Sequence, residues 1–365
     1  NTVMKPLRFA LIGAGRIGQL HAANLAAASD AELVTVFDAD SAAAAEVAAN
    51  TGAAVAATVD EIFDSAKIDA VLIASPTATH TEFTVRAAGA GLAVLCEKPV
   101  SLDTAEAARA AAELAAIPTA RVQIGFNRRF DPGHAELARR VSDGDIGNLE
   151  QVVITSRDPG LPSMDYLKAS GGIFRDMMIH DFDLARFLLA AAGDIPPRHP
   201  RSPRLTERGG DESGGSDEIT TVTATASVQI DPRLRGIGDH DSAMATLTTA
   251  AGRLLHISNS RRAVYGYDQR VEAFGAAGML ISGNQTPFEV ALYNARATAA
   301  RAPLLHFFIE RYADAYRLQL AAFIDAVQAS LSPLSPSFED GRRALIIAAA
   351  AEESMRSGRA VTVKF

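Results

Sequence analysis

Leu7-Arg8-Phe9-Ala10-Leu11-Ile12-Gly13-Ala14-Gly15-Arg16-Ile17-Gly18 decides how the first part of the chain folds. The mostly apolar residues 7–12 read as a buried strand, glycines follow at once, and residues 19–28 continue as an alanine-rich helix. Strand, glycine turn and helix in that order are what a dinucleotide fingerprint requires. Gly13 permits the tight turn, Gly15 lets the backbone approach a pyrophosphate, and Gly18 allows close packing of helix on strand. The helix start offers N–H groups and a positive dipole end to phosphates. All six residues of the turn, with Ala14, Arg16 and Ile17 between the glycines, are therefore expected at the cofactor.

Residues 32–37 read as a second strand, and Asp38 ends it about 20 residues beyond Gly18. A carboxylate there accepts hydrogen bonds from a ribose 2′-OH, which favours NAD over NADP. No Arg or Lys lies between Arg16 and Lys67 to meet a 2′-phosphate. The competing role for Asp38 or Asp40 is to cap the helix that starts near Ser41. Asp40 or Ser41 can do that while Asp38 stays free.

The alternation then continues, with strands at 53–56, 69–74, 92–96 and 120–124 and helices such as 81–88 and 104–116. Strands alternating with helices predict a doubly wound parallel sheet, a Rossmann-type α/β domain over residues 1–125. Ligands of such sheets sit beyond the carboxyl ends of the strands. Three segments fall there: Ser75-Pro76-Thr77-Ala78-Thr79-His80, Glu97-Lys98-Pro99 and Gly125-Phe126-Asn127-Arg128-Arg129-Phe130. From them Ser75, Pro76, Thr77, His80, Glu97 and Lys98 are expected to touch the cofactor, and Asn127 the substrate. His80 lies on the first turn of a helix, where capping or packing is its plainer use. Lys98 leaves an apolar strand just before a proline, placed to orient a substrate hydroxyl and stabilise negative charge on its oxygen. An ordinary surface lysine is the alternative.

Residues 126–365 read differently. A linking helix at 131–141 precedes strands at 149–156, 218–230, 243–249, 253–258 and 270–274 with no regular helices among the later ones. That predicts an α+β domain with a large, mostly antiparallel open sheet. Long helices are expected at 304–328 and 338–356 and a closing strand at 361–365. Residues 195–216, rich in Pro, Gly and charge, should form an exposed, mobile insertion. Between the first two strands lies Gly171-Gly172-Ile173-Phe174-Arg175-Asp176-Met177-Met178-Ile179-His180-Asp181-Phe182-Asp183. In a regular helix Asp176, His180 and Asp183 share one narrow face, with apolar residues around the rest. Burying an acid and a histidine without partners costs several kcal/mol, so the stripe should face a polar cavity. Asp176 and His180 then form a proton-handling pair on a rigid helix, or, more plainly, a satisfied internal hydrogen bond.

Composition sets limits on partners. At 365 residues, with 48% hydrophobic and 21% charged residues, the chain has ample material for two cores. A net charge of −8 argues against nucleic acid or an anionic membrane as partner. The single cysteine, Cys96, fits a reducing compartment. No apolar run reaches the roughly 18–20 residues of a membrane span, and residues 9–12 are a strand rather than a signal peptide. The expectation is a soluble, cytoplasmic protein with Met4 as its natural start. No metal-ligand spacing, internal repeat or serine-nucleophile elbow appears.

These residues together resemble the glucose–fructose oxidoreductase / inositol dehydrogenase / MocA family, and most of all its myo-inositol 2-dehydrogenase branch. The resemblance runs through Gly13 to Gly18, Cys96-Glu97-Lys98-Pro99, Gly125 to Asp131, Ser156-Arg157-Asp158-Pro159, Asp176 to Asp183 and Tyr265-Gly266-Tyr267-Asp268-Gln269-Arg270. The last four look specific to the branch. The resemblance implies Lys98, Asp176 and His180 as the catalytic set, with a cis peptide before Pro99. It implies that Arg128, Asp158 and one of Tyr265 or Tyr267 hold a polyol, and a homotetramer joined through the open sheet. The implied reaction is NAD-dependent oxidation of a ring hydroxyl of a cyclic polyol, foremost myo-inositol to 2-keto-myo-inositol, with His180 as base, Asp176 supporting the imidazolium and Lys98 on the oxygen. The alternatives are scyllo- or chiro-inositol, a pyranose dehydrogenase or reductase on the same site, and a catalytically silent NAD-binding regulator.

Overall fold

In β1 (Leu7–Ile12), Phe9 through Ile12 are almost wholly buried. The computed structural model describes residues 5–193 and 217–365. With β2 (Ala31–Phe37), β3 (Ala54–Val55), β4 (Ala70–Ile73), β5 (Ala93–Cys96) and β6 (Arg121–Ile124), β1 forms a sheet in the order β3-β2-β1-β4-β5-β6. Every pairing in it is parallel. Strands covered on both faces read as unbroken apolar runs, as Ala-Val-Leu-Ile in β4 does. Strand order reverses between β1 and β4, so the turn after β1 lies at the switch point where such sheets take ligands.

The chain divides into two units: Asn1–Phe130 with Tyr312–Ile346, and Asp131–Arg311 with Ile347–Phe365. Residues 312–346 thus join the first unit, not the 126–365 span expected from sequence. The reason is apolar. Helix Ala313–Gln328 lays Leu320, Phe323, Ile324 and Val327 into the core of Phe9, Leu11, Val36, Leu72 and Leu95. The Phe9 and Phe323 ring centroids are 5.9 Å apart. An apolar helical stripe does not announce which sheet it will cover.

The second unit holds β7 (Leu149–Arg157), β8 (Ile219–Ser227), β9 (Ser242–Thr249), β10 (Leu254–Ser260), β11 (Asp268–Gly275), β12 (Gly278–Ser282), a hairpin of β13 (Ala291–Leu292) and β14 (Ala300–Arg301), and β15 (Val361–Thr362). Seven of these form one sheet, β12-β11-β7-β10-β9-β8-β15, antiparallel except where β10 runs parallel to β7. Strand β9 alternates as a one-faced sheet should, with Ala243, Ala245 and Leu247 buried and Met244 exposed between them. Helices Pro132–Ser142 and Ile179–Ala192 pack on the inner face. The outer face presents Met244, Leu254, Phe274, Met279 and Ile281.

The helix expected over 304–328 is broken. Leu304 donates its N–H to the Tyr265 carbonyl at 2.9 Å, and Tyr267 donates to the Leu305 carbonyl at 2.9 Å. This pairing holds 304–305 extended, and helix begins only at Phe308–Arg311 and again at Ala313–Gln328. The insertion read at 195–216 lies outside the described residues. Among the described residues no helix is long and apolar enough to cross a membrane, and no cluster of three or more metal-ligating side chains occurs.

Candidate active site

In the first unit the glycine turn is built as a cradle. Gly13 has φ +101°, and a Cβ there would come within 2.5 Å of Ala74 and Ser75 backbone. A Cβ on Gly18 would meet the Gly13 carbonyl oxygen at 2.0 Å. Around Gly15 there is open space, with nothing within 4 Å of a Cβ. Gly15 is also the N-cap of helix Arg16–Ala27 and brings no side chain to its first-turn amides. Asp38 accepts from Ala14 N–H at 2.6 Å and from Asp40 N–H at 2.8 Å, while Asp40 caps the next helix through Ala42 N–H at 3.0 Å. The carboxylate is anchored beside the turn and keeps lone pairs for further donors. An uncapped helix start, an open approach and a fixed acid fit the pyrophosphate and adenosine ribose of NAD.

The loops after β4 and β5 sort the remaining expectations. Lys98 is half-buried, and its bond to Pro99 is cis. Ser75 Oγ lies 2.7 Å from Thr79 Oγ1, closing its own loop. Two residues expected at the cofactor are tied into the scaffold. Glu97 Oε1 is 2.7 Å from His21 Nε2 in a buried contact, and a Cβ on Gly125 would press within 2.7 Å of Glu97 Oε2. His80 is buried, and both ring nitrogens lie 2.8 Å from backbone carbonyl oxygens, leaving neither for a ligand. Asn127 and Arg128 are 2% and 4% exposed, and the Arg128 guanidinium stands 5.6 Å above the Tyr312 ring. That burial leaves little surface for the polyol contact expected of them.

In the second unit Gly171 and Gly172 both adopt φ +84°, a turn that favours glycine, and Asp239 takes the N–H of Ile173 at 2.9 Å. The chain then makes a π-helical turn over Phe174–Met178 before helix Ile179–Ala192. The wider turn shifts the phase of the helix, so the single stripe expected of Asp176, His180 and Asp183 does not form. Asp176 and His180 keep access to solvent while Asp183 is buried. Asp181, fully buried, accepts from Ser156 Oγ at 2.6 Å and Asn259 Nδ2 at 2.7 Å, and so pins the helix to β7 and β10.

Asp176 receives two donors that sequence reading missed. Tyr166 Oη donates to Oδ1 at 2.6 Å and Arg261 Nη2 to Oδ2 at 3.1 Å. Desolvation and the Asp176 charge push the Tyr166 phenol up from its ordinary value. Burial disfavours the Arg261 cation, but Asp176, Asp158 and Asp239 outweigh it and raise its pKa. Asp158 thus belongs to the charge cluster around Asp176. Of the two tyrosines, Tyr267 is buried against Phe307, while Tyr265 is exposed and donates its hydroxyl to Asp268 at 2.7 Å. Arg261 is the first residue after β10; its position there was the available signal, and no spacing rule pairs it with Asp176.

A glycine cradle at the switch point of a parallel sheet, with a fixed acid at the end of β2, defines a dinucleotide-binding enzyme of the Rossmann class. The chain belongs to the oxidoreductase family with an NAD-binding Rossmann fold and a C-terminal alpha/beta domain, whose two models match residues 7–126 and 138–364. It is 43% identical over 98% of its length to an inositol 2-dehydrogenase of Rhizobium meliloti, of which 99% is covered. A crystal structure of a myo-inositol dehydrogenase from Corynebacterium glutamicum superposes with a TM-score of 0.87 at 41% identity, covering 99% of each chain. The scyllo-inositol dehydrogenase of Lactobacillus casei with bound NAD(H) and scyllo-inositol superposes at 0.85 with 26% identity, covering 98% of this chain and 99% of that one.

Proposed function

We propose that the chain oxidises a ring hydroxyl of myo-inositol to 2-keto-myo-inositol (scyllo-inosose) with NAD. The observation that carries this reading is the 43% identity, over 98% of the chain, to a protein named inositol 2-dehydrogenase. Gly13 to Gly18 would cradle the pyrophosphate and Asp38 the ribose hydroxyls of NAD, which supplies the hydride acceptor when bound. His180 takes the proton of the reacting hydroxyl, Asp176 stabilises the imidazolium that results, and Lys98 orients the hydroxyl oxygen and favours its negative character. The half-exposed Tyr166 holds Asp176 in place by donating its hydroxyl to the carboxylate at 2.6 Å. A second reading, scyllo-inositol as substrate, is favoured by the likeness to the Lactobacillus casei scyllo-inositol enzyme.

The test is a panel of inositol isomers and pyranoses assayed with NAD and NADP in parallel. Myo-inositol with NAD should give the highest kcat/KM, and Asp38→Ala should erode the NAD preference roughly ten- to a hundredfold, the loss of one or two charge-assisted hydrogen bonds. A pyranose at the head of the panel overturns the substrate assignment, and unchanged discrimination in Asp38→Ala overturns the ribose role. The exposed outer face of the second sheet supports a homotetramer joined through it, in the cytoplasm, where Cys96 stays reduced. A monomer mass in sedimentation equilibrium at micromolar concentration would rule the tetramer out.

A further inference from the structure

His80 opens helix His80–Gly89, is 2% exposed, and has Nε2 2.8 Å from the Ser75 carbonyl oxygen and Nδ1 2.8 Å from the Pro99 carbonyl oxygen. A carbonyl oxygen only accepts. A neutral imidazole has one N–H and one bare lone pair, so either tautomer would set a lone pair against one of the two oxygens. Buried, that arrangement forfeits a hydrogen bond and adds repulsion. Only a ring protonated at both nitrogens donates to both oxygens.

We propose that His80 is a positioning residue: a buried imidazolium that ties the loop after β4 to the loop after β5 and so fixes the backbone carrying Lys98. The loop after β4 is itself closed by the Ser75–Thr79 hydroxyl pair, with Thr79 Oγ1 also donating to the Pro76 carbonyl at 2.8 Å. The brace therefore has a firm end to pull from. Around the ring, burial opposes the charge, the two carbonyls favour it throughout, and the Cys96 sulfur on β5 adds to them once ionised, the balance raising the pKa from 6.5 to about 9. Glu106, on helix Thr104–Ala115, spends its oxygens on Thr81 and Ser101. Because the folded value lies above the unfolded one, the brace contributes fully below about pH 6.5 and is lost as pH rises through about 9.

The functional half of this inference rests on the role given to Lys98 above, and the experiment separates the two. The full chain is labelled with 15N-histidine, and the His80 ring is assigned through its backbone and by its absence from His80→Gln. Both ring nitrogens should carry protons at neutral pH and release one only near pH 9. A bare nitrogen at neutral pH overturns the proposal, and this reading needs no variant that folds. A double-mutant cycle then asks whether His80 acts through Lys98. His80→Gln should lower kcat more than it raises KM for NAD, and the His80→Gln, Lys98→Met pair should be no slower than Lys98→Met alone. Fully additive losses overturn the positioning role. Wild-type turnover in Lys98→Met instead overturns the catalytic reading of that lysine and the positioning role with it, while the titration still decides the charge.

Discussion

Replacing His180 by alanine is expected to lower kcat about 10²–10⁴-fold, the usual worth of a positioned general base, with a much smaller change in KM for the polyol. The ring stands in the first turn of helix Ile179–Ala192, and Asp181, one residue on, is locked to Ser156 and Asn259 in the sheet. A base held this firmly need not be reordered for each turnover, which is where much of the rate gain of a preorganised site arises. The π turn over Phe174–Met178 serves the same end, since it leaves Asp176 and His180 partly exposed while its apolar residues stay buried. His180 is not wholly buried, so the alanine variant should unfold close to the wild-type midpoint and the rate loss reads as chemistry. Steady-state NADH formation from myo-inositol at saturating NAD measures it. Turnover within a few-fold of wild type would remove His180 from the mechanism.

Much of this was legible in the sequence because it depends on local rules. The strand–glycine–helix order, the acid closing β2 and the alternation of β and α follow from backbone chemistry that neighbouring residues impose on one another. What escaped depends on distant partners. Whether an Asp or His at a strand end faces a ligand or a buried neighbour is settled by residues far along the chain. Glu97 meets His21, 76 residues away, and Asp176 meets Arg261, 85 away. The π turn was hidden for a related reason. A stripe at i, i+4 and i+7 is drawn on an ideal helix, and one wider turn rotates everything after it. The helix Ala313–Gln328 was found approximately but given to the wrong unit, because its apolar face fits any sheet of the right shape.

Arg261→Met should be the most destabilising single change near the site, costing about 3–5 kcal/mol, because it strands acids that the cation now compensates. The Arg261 side chain is 1% exposed and its Asp176 partner 10%, so water screens the pair little. Methionine fills similar volume, so the loss is electrostatic rather than a cavity. Tyr166→Phe removes the other donor to Asp176 but leaves the charge balanced, and about 0.5–1.5 kcal/mol is expected there. The two causes separate by pH. In Arg261→Met the largely buried Asp176 carboxylate loses the cation that now favours its charge, which raises its folded pKa above the unfolded one. The deficit should therefore be complete near pH 7 and shrink as pH falls toward about 4, where protonation removes the uncompensated charge. Urea midpoints of variant and wild type at about pH 7.5 and about pH 4.5 give the comparison. A deficit of equal size at both would mean that Arg261 holds the fold through packing and that Asp176 owes its charge to something else. The sign matters for catalysis as well: a carboxylate whose pKa has risen takes up its proton at a higher pH and then no longer stabilises an imidazolium, so on acidification the variant should lose activity at a higher pH than the wild type does.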